Sequence, residues 1–109
     1  MKTGVLRPGN CAVIFISTRM ETTEEYLFFD EATLRVAENL PGFLGWDSVR
    51  NAPHGIFISY WENEAAVELW KNDALHLRAK ELGKKSFYSF YRSIVTEVTR
   101  VSEWKNHEE

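Results

Sequence analysis

The chain has 109 residues, 44% hydrophobic and 14% aromatic, with a formal net charge of −3 and no long basic block. That length holds one core, and the charge argues against nucleic acid and anionic membrane as partners, since both demand clustered Lys and Arg. No apolar run approaches the roughly 18 residues of a membrane helix and the N-terminus lacks an apolar signal core, so a cytoplasmic protein is expected; the lone Cys11, unable to make an internal disulfide, suits the same compartment.

A single domain over residues 1–109 is expected, with its core at about 11–101, a lead-in at 1–10 and a polar tail at 102–109. Pro8-Gly9-Asn10 is turn chemistry. Cys11 to Arg19 is short and dense in Val, Ile and Phe, which predicts a central strand. Thr22 with Glu25 forms a capping box for a helix whose apolar stripe runs Tyr26, Phe29, Ala32, Val36, Leu40, stopped by Pro41-Gly42. Phe43 to Asn51 and Ile56 to Trp61 read as a hairpin around Asn51-Ala52-Pro53-His54-Gly55. Asn63 is placed to cap the next helix, whose stripe includes Ala66, Val67 and Trp70. Asn72-Asp73 breaks that helix, and a second short one runs to Leu82, stopped by Gly83. Phe87 to Val101 carries the aromatic and β-branched residues of a last strand.

The order β-α-β-β-α-β is the ferredoxin-like α+β arrangement, a four-stranded antiparallel sheet with helices on one face. Both sides of the strands are apolar, however, with Ile14, Ile16, Ile56 and Ile58 on one side and Val13, Phe15 and Phe57 on the other. The helices cover one face only, so a second copy of the chain is expected to cover the other, giving a homodimer through the sheet face.

The residues with site potential concentrate between Gly55 and Gly83. Trp70 lies on a helix stripe facing the sheet; it is either core packing or a pocket wall whose indole N–H donates to a substrate oxygen. If Asp73 caps the second short helix, His76 shares a face with the small residues Ala79 and Gly83. There it is either a hydrogen-bonded structural residue or a general base. Trp61, Tyr60 and Tyr91 offer rings or hydroxyls to a cavity, though each alone is more often packing, and Thr18 ends its strand where a pocket mouth would lie. His54 reads as solvated and His107 as an inert tail residue. No Cys-His-carboxylate ligand spacing, Gly-rich phosphate loop or Ser-His-Asp set is present.

The strand, the helix, Pro41-Gly42-Phe43-Leu44-Gly45, Tyr60-Trp61-Glu62, Trp70, His76 and Gly83 together resemble the antibiotic biosynthesis monooxygenase (ABM) family over roughly 11–101. The resemblance implies a dimeric α/β-barrel and a small monooxygenase. Within such a family it implies oxidation of a phenolic or other aromatic molecule without a cofactor, with His76 and Trp70 catalytic and Thr18, Tyr60, Trp61 and Tyr91 around the substrate. It also leaves open a haem-degrading alternative. In that sub-pattern Trp70 matches, whereas the Asn position falls near Thr18 and the His position near Glu81. The anthrone-oxidising sub-pattern matches at Trp70 too, but its Asn position falls on Ala66. A non-enzymatic dimeric binding module is the third reading, and it predicts no cavity of ring size.

Overall fold

Cys11–Arg19 forms the strand that its branched and aromatic residues predict, and it lies inside the sheet, paired on both sides. The computed structural model describes residues 2–3, 5–20 and 23–106. In chain order the elements are β1 (Lys2–Thr3), β2 (Cys11–Arg19), α1 (Glu24–Asn39), β3 (Phe43–Asn51), β4 (His54–Trp61), α2 (Glu64–Lys71), α3 (Ala74–Leu82), a π-helical turn (Gly83–Phe87) and β5 (Tyr88–Glu97). The strands lie in the order β1-β3-β4-β2-β5, each pair antiparallel. Without the two-residue edge strand β1, this is the expected ferredoxin-like α+β fold.

Several local details differ from expectation, among them β4, which begins at His54 rather than Ile56. The N-cap of α1 is Thr23, whose side chain accepts from the Tyr26 N–H; Thr22 lies outside the described residues. The lead-in contributes to the sheet, because Lys2 and Thr3 pair with Trp46 and Gly45. Gly83 does not end the helical path. The chain continues through the wider π turn and enters β5 at Tyr88, and the strand stops at Glu97 rather than Val101. Beyond it Val98 still exchanges backbone hydrogen bonds with Gly9 and Asn10.

The alternation of β2 and β4 sorts the sheet into two faces. Toward the helices point Val13, Phe15, Ser17, Phe57, Ser59 and Trp61. The main core gathers at one end, where Cys11, Ala37, Trp61, Ala66 and Val67 are buried and Val13, Leu40, Phe43 and Trp70 pack against them. Away from the helices the register aligns Ile14 with Ile58 and Ile94, and Ile16 with Ile56. This second face is unclad in the isolated chain: Val49 is 69% exposed, Phe90 46% and Ile56 44%.

Gly42 holds the turn between α1 and β3 at a φ of 87°, and a Cβ there would stand 2.6 Å from the Ala66 Cβ. Its carbonyl accepts from the Glu62 N–H at 2.7 Å, locking α2's approach. A left-handed backbone and a clash with a fixed helix both penalise a side chain, so Gly42→Ala should lower stability by roughly 2–4 kcal/mol. The urea midpoint measures it, and a loss under about 0.5 kcal/mol would mean the turn is softer than its geometry implies.

Candidate active site

Between the helices and the sheet lies a cavity of about 330 Å³, within the range of small-molecule sites, about 300–1,000 Å³. Its floor is the helix-facing side of the strands, with Phe15, Phe57, Ser59 and Trp46. Its roof is Tyr26, Thr33 and Ala37 from α1, Trp70 from α2, His76 and Ala79 from α3, and Gly83 from the π turn. Thr33 can face inward because its hydroxyl donates to the Phe29 carbonyl at 2.7 Å. The inward stripe of α1 is therefore Tyr26, Phe29, Thr33 and Ala37, a different phase from the apolar stripe expected, with Ala32 and Val36 only half-buried on its flank.

His76 is set by the break between α2 and α3. Asn63 caps α2 by accepting from the Ala66 N–H, and α2 ends at Lys71. Asp73 then starts α3, its carboxylate accepting from the His76 N–H at 3.3 Å. This turns the imidazole flat against Trp70, with ring centroids 3.9 Å apart and planes 9° from parallel. Trp70 in turn stacks on Trp61 at 5.9 Å and 25°. Trp61 is fully buried, and its indole N–H donates to Ser59 Oγ at 2.9 Å. The three rings form one column running from the core to the cavity.

The histidine's chemistry follows from one hydrogen bond. Its Nδ1 lies 2.9 Å from the Trp70 carbonyl oxygen. A carbonyl only accepts, so Nδ1 carries the proton and Nε2 keeps its lone pair while the ring is neutral. Burial pushes the imidazole pKa below its ordinary 6.5; the Trp70 carbonyl opposes this, and the charge of Lys80 adds to it. Burial thus biases His76 toward its neutral form.

The opposite part of the cavity is polar. Arg50 donates to the Tyr26 hydroxyl at 3.2 Å, and Arg19 lies 4.9 Å over the Tyr26 ring. Asp30 has its carboxyl raised by desolvation against the pull of Arg50 and Arg19. Burial, then the neighbouring Tyr26, hold the Tyr88 phenol well above its usual range.

Of the residues singled out from the sequence, His76, Trp70 and Tyr91 line this cavity. Thr18 and Tyr60 do not, since strand alternation puts them on the other face of the sheet. There Thr18 Oγ1 meets His54 Nδ1 at 3.2 Å, and Tyr60 donates to Asp47 at 2.8 Å, its phenol pushed up to about 12 by desolvation and that carboxylate. Trp61 lies behind Trp70, one ring removed from the cavity. His107 lies outside the described residues. Sequence reasoning missed Tyr26, Asp30, Trp46 and Arg50. Their signals were present: Tyr26 and Asp30 are four apart on one helix, and Trp46, Ser48 and Arg50 alternate on one strand.

Comparisons with known proteins agree with this architecture. A sequence model of the family described as antibiotic biosynthesis monooxygenase matches residues 11–82. The chain belongs to the antibiotic biosynthesis monooxygenase family. An uncharacterised protein of Bacillus subtilis, YqjZ, is 38% identical over 94 residues, covering 85% of this chain and 82% of its own. Among solved structures, SnoaB of Streptomyces nogalater, a cofactor-independent oxygenase, superposes with a TM-score of 0.69 at 13% identity, covering 90% of this chain and 99% of that one. A Pseudomonas aeruginosa protein superposes with a TM-score of 0.67 at 18% identity, covering 91% and 100%. At such identities the likeness is one of fold. No helix among the described residues is long and apolar enough to cross a membrane.

The residues present do not fit the family's haem-degrading arrangement. Thr18 is turned out of the cavity, and Glu81 is exposed between Arg78 and Lys85, 3.5 and 3.9 Å away. Trp70 alone of the three positions lines the cavity.

Proposed function

We propose that this ABM-family chain is a monooxygenase that oxidises a phenolic or related aromatic compound with molecular oxygen and no cofactor, as a cytoplasmic homodimer of one domain. The observation that carries the reading is His76: a neutral imidazole with its Nδ1 proton committed to the Trp70 carbonyl and its lone pair on Nε2, in an aromatic-lined cavity. A cavity of about 330 Å³ also favours a substrate site over a purely structural module, which would be packed solid.

For an anthrone-type substrate, His76 Nε2 takes a proton from the activated CH2, leaving an electron-rich carbanion in conjugation with the phenols. Electrons pass from it to oxygen, a C–O bond forms, and His76 returns its proton to give a hydroperoxide. Loss of the second C–H proton then breaks the O–O bond. One oxygen atom stays as the new carbonyl and the other leaves as water. The substrate supplies the electrons, so no separate reductant is consumed. The Trp70 indole N–H donates to the oxygen anion as it develops, and Tyr91 walls the ring.

Incubation with an anthrone-type phenol should give the quinone with one oxygen consumed per product, unchanged by a metal chelator. Turnover no faster than buffer alone across such phenols would sink the proposal. The dimer is supported by the unclad isoleucine face, and light scattering should return twice 12.7 kDa at micromolar concentration. A mass equal to one chain would leave that face without its proposed cover.

A further inference from the structure

The cavity's charge runs against that of the chain. Its charged lining residues are Arg50, Lys80 and Asp30, two cations to one carboxylate, in a protein of net charge −3. The positive end is built with some care. Gly55 has no side chain, and a Cβ placed there would stand 3.8 Å from both Arg50 Cζ and Ser17 Oγ. The guanidinium thus leans over Gly55 beside the Ser17 hydroxyl, and it also reaches the Tyr26 hydroxyl. Arg19 adds a second guanidinium on the Tyr26 ring, and its Nε is buried without a hydrogen-bond partner among the described residues. Two guanidiniums share one carboxylate, Asp30, so the end keeps a net positive charge.

We infer that this end takes a carboxylate: the substrate is an aromatic acid, its ring against Trp70 and His76 and its carboxylate on Arg50 with the Ser17 and Tyr26 hydroxyls. The inference rests on the aromatic-oxidation reading and adds the substrate's charge to it. A planar guanidinium with two flanking hydroxyls suits a carboxylate, which accepts several hydrogen bonds at once. Anchoring the acid at Arg50 also holds the ring at the far end, where the base stands. Arg50 is exposed to solvent, so screening keeps the charge preference moderate, about tenfold in affinity.

Binding tests this without needing turnover. The probes are 2-naphthoate and its neutral isostere 2-naphthamide, titrated against the full chain by quenching of tryptophan fluorescence. The carboxylate should bind about tenfold tighter than the amide, with the preference shrinking as salt is raised. Arg50→Gln should bring the two probes to near-equal affinity. Asp30→Asn should strengthen the carboxylate several-fold and leave the amide unchanged, a gain that a damaged fold does not produce. Equal affinities in the parent protein overturn the carboxylate assignment while the aromatic site stands. Binding of neither probe overturns both. An Asp30→Asn variant that weakens both probes alike also counts against the assignment.

Discussion

Alanine in place of His76 is expected to slow quinone formation by about 10²–10⁴-fold, with substrate binding changed far less. The loss is large because the other basic group among the described lining residues, the Asp30 carboxylate, stands in the opposite, polar part of the cavity beside Arg50. The pH profile gives an independent check. Burial lowers the folded-state pKa of His76 below 6.5, so activity should stay on its plateau through neutrality and fall only below the ordinary histidine range. Stability follows the same sign. The unfolded chain takes up the proton first, so the contribution from neutral His76 is intact above 6.5 and declines as pH drops from there to the folded-state value. A His76→Ala variant with the parent's rate and profile would remove the base from the mechanism.

Trp61→Ala should be the most damaging single change to the fold, at about 3–5 kcal/mol in chemical denaturation. The side chain is fully buried, packs at 5.2 Å on Phe43 and 5.9 Å on Trp70, and has its N–H satisfied by Ser59. Truncation leaves a void between sheet and α2 and an unpartnered Ser59 hydroxyl. It also removes the backing of Trp70, so activity should drop even in the folded fraction. Trp61→Phe separates these effects: it refills much of the space and should recover most of the stability. A Trp61→Ala loss below about 1 kcal/mol would show that the column collapses without penalty.

Much of the scaffold was legible because local chemistry and tertiary need coincide. Asn63 was readable as a cap, Asn72-Asp73 as a break and Pro41-Gly42 as a stop, each satisfying backbone groups regardless of what packs nearby. The face shared by His76, Ala79 and Gly83 followed from the break. The site was only half legible. Thr18 and Tyr60 sit one residue from Ser17, Ser59 and Trp61, and in a strand one residue means the opposite face. Both faces being apolar, composition did not say which one the helices would cover. Trp46 and Arg50 alternate legibly on β3, but the irregular register between Phe43 and Gly45 offsets that strand from its neighbour, so alternation alone did not say which face they take. On α1, a threonine bonded to its own helix replaces the apolar residue that a periodicity search expects.

The alternation in the strands has an evolutionary side. Positions 13, 15, 17, 57 and 59 meet whatever fills the cavity, while 14, 16, 58 and 94 meet whatever lies across the sheet. Substitutions in one set leave the other untouched, so ligand preference and assembly can diverge on separate schedules within a fixed backbone. A scaffold divided this way can be inherited intact by descendants with unrelated substrates. A mutant library restricted to the first set should change what the protein accepts while every member keeps the parent's mass in solution.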